Sequence, residues 1–117
     1  LSMTKCILLR LFSLKSIINH KSIKMKDILV VGKLKEGKFE KFMGFMQSEE
    51  GINERKKIAD VTKTLGTVSP DKSVIMFKIV VHDEGALNSF LDGSNPVSKP
   101  IFDEVMVSYE IFELKKV

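Results

Sequence analysis

The order in which apolar residues change their period constrains this chain more than any other feature. From Lys26 onward the run DILVVGKL is apolar on both faces and bounded by Gly37, the pattern of a buried strand. Phe39, Phe42, Met43 and Met46 then recur at the three- and four-residue spacing of an amphipathic helix. Gly51 is expected to interrupt that helix, and INERKKIAD to resume it as a short charged segment. A strand is expected over residues 61–68, and the turn SPDK, with Pro70 in its second position, joins it to an antiparallel partner. That partner, SVIMFKIVV at 73–81, is the strongest strand-forming run in the chain. Asp83 stands at a helix N-cap position ahead of a second stripe, Ala86, Leu87, Phe90 and Leu91. Pro96 and Pro100 forbid a continuous helix through 92–100, so a loop and a short turn around IFDEV lead to a last strand at 106–114.

The order is β-α-β-β-α-β. It predicts an α+β fold of ferredoxin-like type, a four-stranded antiparallel sheet with both helices on one face. The 117 residues, 44% hydrophobic and 29% charged, suit one globular domain with a real core. The net charge of +4 is unevenly spread. Residues 1–24 hold Lys5, Arg10, Lys15, Lys21 and Lys24 and no acid, whereas the other 14 of the 19 bases face all 15 acids, leaving −1. A basic leader or extension at 1–24 and a barrel-type domain at 25–117 are therefore expected. The leader is serine-containing and acid-poor, as a targeting peptide would be, or it is an upstream extension to a domain that begins at Met25. A cytoplasmic location is expected, with targeting by 1–24 as the alternative. No apolar run reaches the roughly 18–20 residues of a membrane span, so membrane association is not expected.

In such a fold one sheet face packs on the helices and the other is left open. Alternation places Ile75, Phe77, Ile79 and Val81 opposite Val74, Met76, Lys78, Val80 and His82. On the last strand Val107, Tyr109 and Ile111 oppose Met106, Ser108, Glu110, Phe112 and Leu114. Whichever set meets the helices, the other is too apolar for a solvated surface. A second copy packed sheet to sheet satisfies both, which predicts a homodimer through the open face.

The opening ILVVGKL, the helix FEKFMGFM, the hairpin SPDKSVIMF, the helix HDEGALNSFL and the closing strand VSYEIFEL together resemble the dimeric α+β barrel superfamily, whose familiar members are antibiotic-biosynthesis monooxygenase-type domains. The resemblance covers about residues 26–114 and rests on pattern and order. It implies a dimeric barrel and, among the superfamily's activities, cofactor-free oxygenation, haem degradation or no known role. The haem-degrading members use a tryptophan and a histidine, and this chain has no tryptophan. An uncharacterised small-barrel family is the expected relative. The amino-acid-sensing ACT type of domain is a second resemblance, echoed by Gly37 and by GIN at 51–53, although ERKKIAD reads as helical where that family begins a strand.

Other motifs lead elsewhere and fail. Gly32 to Lys38 spells G-x-x-x-x-G-K, but Phe39 stands where a phosphate-binding loop needs a hydroxyl for magnesium. The strand order is shared with RNA-recognition domains, yet Val30 replaces their stacking ring and the domain's charge of −1 attracts no phosphate backbone. No nucleic-acid partner is expected. The single cysteine, Cys6, excludes an internal disulfide, and no spaced His, Cys or carboxylate set completes a metal site. No cofactor is expected.

Three residues remain as pocket candidates. His82, the only histidine in the domain, could serve as a general base or ligand contact, or could simply assist a helix cap. Tyr109, the only tyrosine, could point its hydroxyl into a pocket or be core. Arg55, the domain's only arginine, could hold a carboxylate bidentately, or lie on the solvated face of its ERKK run. Two functions follow. The first is a homodimer that binds a small apolar or amphipathic molecule between sheet and helices, with residues 92–100 as a cover; if it is an enzyme, the resemblance implies cofactor-free oxidation. The second is a non-catalytic regulatory or interaction module, ACT-like or assembly-only. A cavity of roughly a few hundred Å³ near His82 would mark the first, and a filled core the second.

Overall fold

The computed structural model describes residues 25–117, so the expected leader lies outside the described residues. Four strands, β1 (Lys26–Leu34), β2 (Leu65–Val68), β3 (Val74–Val81) and β4 (Met106–Leu114), form one antiparallel sheet in the order β2-β3-β1-β4. Helices α1 (Phe39–Gln47), α2 (Glu49–Lys56), α3 (Glu84–Asp92) and α4 (Lys99–Val105) accompany it. The architecture is α+β, as expected. The sheet is open: β2 and β4 are its outer strands, and it does not close into a barrel.

The charged segment expected to resume the first helix is α2, though the break lies elsewhere, and α4 is an addition; both differences have local causes. The first break falls at Ser48, not at Gly51. Ser48 is extended (ψ 161°), its hydroxyl accepts from the Gly51 N–H at 3.0 Å, and the same hydroxyl donates to the Phe45 carbonyl at 2.6 Å. It ends one helix and caps the next. Gly51 lies inside the first turn of α2, where a Cβ would come within 1.9 Å of the Phe45 carbonyl oxygen. The glycine permits the close approach of the two helices and does not break either.

The added helix is α4, expected as a turn. Pro100 sits in its first turn, a position where the missing N–H would have had no helical partner anyway. Ahead of it, Gly93 ends α3 in the left-handed conformation (φ 92°). Asn95 then accepts from the Val97 N–H at 2.8 Å, and Ser98 donates its hydroxyl to the Phe90 carbonyl at 2.7 Å. Ser98 is completely buried, and that bond satisfies it.

The expected strand at 61–68 is also shorter. Asp60 caps a single 3-10 turn, Val61–Lys63, by accepting from the Thr62 N–H, and β2 starts only at Leu65. By contrast, β4 occupies the expected residues, and Asp83 caps α3 by accepting from the Ala86 N–H at 3.0 Å.

The core lies between the helices and one sheet face. Ile28, Val30 and Leu34 of β1 join Ile75 and Val81 of β3 beneath Phe42, Phe45 and Met46 of α1, Leu87 and Phe90 of α3, and Phe102 and Val105 of α4. Phe102 is its aromatic centre, edge-on to Phe90 at 5.0 Å and to Phe45 at 6.1 Å between ring centroids.

Candidate functional site

The sheet register sorts the two faces residue by residue. Val30 pairs with Phe77 and Ile111 on the helix side, while the neighbouring Leu29 pairs with Lys78 and Phe112 on the other. The open face carries Leu65 and Thr67 of β2, Val74, Met76, Lys78 and Val80 of β3, Asp27, Leu29, Val31 and Lys33 of β1, and Ser108, Glu110, Phe112 and Leu114 of β4. Leu65, Met76 and Phe112 are 61%, 43% and 46% exposed. A shift of register between Lys33 and Leu34 lets Met106 stand beside Leu34 on the helix side and leaves Val107 protruding at the edge.

On the helix side the packing leaves a cavity of about 60 Å³ that is partly open to solvent. Its deep wall is fully buried: Val30, Ile75, Phe42 and Phe90. The wall grades outward to half-buried Phe77, Val61 and Thr64, where the 3-10 turn approaches the sheet. The lining is almost wholly apolar; Arg55 and Thr64 are its polar residue types, and it includes no carboxylate, imidazole or thiol. Such a space admits a few water-sized groups, far less than the cavity of a few hundred Å³ expected for a bound molecule of ordinary size.

The three candidate residues do not converge. Arg55, half-buried near the end of α2, is on the cavity wall and donates to the Met46 carbonyl at 2.9 Å. Burial pulls its guanidinium below the ordinary value. The solvated ERKK face is thus not its place, although its neighbours Lys56 and Lys57 are exposed. His82 lies off the wall: its Nε2 is 3.1 Å from the Lys56 carbonyl, and its backbone N–H donates to the Ile58 carbonyl at 2.9 Å. It fastens the end of β3 to the end of α2. Tyr109, 36% exposed, lines a separate surface depression with Leu91, Lys99 and Asp103.

Residues 92–100 contribute nothing to the cavity wall. They are tied elsewhere, through the Asn95 amide, which donates to Glu54 at 2.9 Å. That bond, with a second from Lys57, holds the Glu54 carboxyl below its ordinary value. Ile58, Ala59, Val61 and Thr64 also line the wall, and sequence patterning singles out none of them: Val61 and Thr64 fall in the strand expected at 61–68, where the structure has a 3-10 turn.

Among the described residues no group of three or more His, Cys, Asp or Glu is placed to hold a metal ion, and no helix is long and apolar enough to cross a membrane. Fold and cavity together define a small α+β protein with an open four-stranded antiparallel sheet. In sequence, no protein-family profile and no curated protein matches the chain. In structure, it is similar to protein SO0527 from Shewanella oneidensis, with a TM-score of 0.51 and 15% identity over 79% of this chain and 90% of that one. It is similar also to PA3566 from Pseudomonas aeruginosa, with a TM-score of 0.54 and 11% identity over 85% of this chain and 99% of that one. At these identities the likeness concerns the fold alone.

Proposed function

We propose that this chain is a homodimeric small-molecule-binding protein of the dimeric α+β barrel type, with the ligand held between sheet and helices. The observation that carries the proposal is the apolar wall of the cavity beside Arg55. At about 60 Å³, and without His82 on its wall, the cavity is smaller than the roughly few hundred Å³ expected and holds only a small apolar group. Protein interiors are close-packed, and an unfilled space forfeits contacts on every side of its wall. With almost no polar wall, water gains little there, while a small apolar group recovers those contacts. Binding is favoured over turnover because the wall offers no acid, base or nucleophile beyond one threonine hydroxyl.

The dimer rests on the open face. Its apolar residues Leu29, Val31, Met76, Val80 and Phe112 are interrupted by two bases, Lys33 and Lys78, and two acids, Asp27 and Glu110. The face is therefore neutral and of both signs, so a two-fold-related copy can oppose base to acid while burying the apolar residues. Two open sheets stacked in this way would make the barrel that a single chain does not close.

The small volume favours a second function, an assembly-only module without a ligand. Native mass spectrometry of the purified full chain separates the two. The proposed function predicts a dimer with a small adduct that collisional activation removes. A dimer that never carries an adduct, even after incubation with small acids and alcohols, supports the assembly-only module.

A further inference from the structure

The charges of the open sheet face give the homodimer a direction. Asp27 and Lys33 of β1, Lys78 of β3 and Glu110 of β4 all lie on that face, among apolar neighbours. Among the described residues none of the four takes part in an ion pair. Lys26, Lys41 and Lys99, away from that face, each hold a carboxylate within 2.9 Å. A charge covered by a partner without a counter-charge is costly, so the dimer that buries this face must match acid to base.

Asp27 and Lys33 end the stretch of β1 that crosses the face, roughly 20 Å apart along the strand. Leu29 and Val31 stand between them. A two-fold axis running across the strands between Leu29 and Val31 lays one sheet on the other strand for strand, in the aligned manner of stacked sheets. It sets Asp27 against the partner's Lys33 and Lys33 against the partner's Asp27, with Leu29 on the partner's Val31 at the centre. An axis along β1 would set Asp27 and Lys33 each on its own copy, two like-charge contacts. An axis along the strands midway between β1 and β3 would press Asp27 on the partner's Val80 and Lys33 on the partner's Val74. Only the crosswise axis gives both charges a counter-charge.

We infer that the open face takes a second copy of this chain, related by a two-fold across the strands and locked by two reciprocal Asp27–Lys33 pairs. The inference rests on the homodimer proposed above and gives its geometry.

Sedimentation velocity of the purified full chain tests the pairing. Asp27→Lys and Lys33→Asp are each expected to weaken dimerisation at least about tenfold, because each sets like charges together twice. The chain carrying both substitutions should dimerise within about threefold of the wild type. A double variant as weak as the singles, or singles as strong as the wild type, overturns the pairing and leaves the homodimer standing. A wild type that stays monomeric overturns both. Wild-type protein gives a second test that does not depend on variant folding. A carbodiimide joins a carboxylate to an amine in contact with it, and peptide mapping should find Asp27 linked to Lys33. Within one chain their separation along β1 forbids that link, so it reports the partner. A dimer linked only through other pairs, such as Lys78 to Glu110, would contradict the crosswise two-fold.

Discussion

Ile75 and Met76 are neighbours in one strand, yet they belong to different kinds of surface. Ile75 is 2% exposed among the helices, whereas Met76, on the opposite side of the pleat, is 43% exposed. The same contrast runs through β1, where Ile28 and Val30 are buried and the intervening Leu29 and Val31 are only half-covered. Both faces are apolar, but only one is closed. The difference teaches that hydrophobicity alone does not identify a core: the closed face stabilises the single chain, and the open face has its stabilisation still available for a partner.

Truncation at the paired positions should separate the two roles. Ile75→Ala is expected to lower stability by about 2–5 kcal/mol, the range for emptying a close-packed aliphatic site. Met76→Ala should leave urea unfolding nearly unchanged at low protein concentration, and its cost should appear as weaker association at high concentration. Equal losses at both positions, independent of concentration, would remove the distinction between the faces.

A still smaller effect is expected at Asp71, in the turn joining β2 to β3 and belonging to neither face. Hydroxyl bonds from Ser73 and Ser69, at 2.7 Å each, with the Ser73 N–H, hold its carboxyl at about 2, below the ordinary 3.8. A lowered value means that the contribution is present above 3.8 and lost as pH falls through about 2. Asp71→Asn should therefore lose stability near neutral pH, with the deficit shrinking as acid protonates the wild-type carboxyl. Urea midpoints measured across that range check the sign. A deficit that grows on acidification would contradict this account of the turn.

Much of the fold was legible where period and caps agreed. β4 and the Asp83 cap emerged with their observed residues because alternation and capping chemistry point the same way there. Residues with two uses misled. Ser48 closes one helix while opening the next, and Gly51, the conspicuous breaker, serves close packing. Pro100 excludes a helix through 92–100 but starts one of its own.

The candidate site was less legible because it depends on three-dimensional neighbours that spacing does not contain. Arg55 stands in a charged run, and only the fold of α2 against the core brings it to the cavity. His82, chemically the most suggestive residue, is spent on joining β3 to α2. Tyr109 follows the alternation of β4 on to the helix side, but the outer position of that strand leaves it beside a surface depression.

The contrast between the faces is tested most directly by light scattering of the full chain at micromolar concentration, alongside Met76→Glu. The account predicts twice the chain mass for the wild type and a single chain mass for the variant, with both folded by circular dichroism. A wild type that remains a monomer, or a variant that dimerises as well as the wild type, would contradict it.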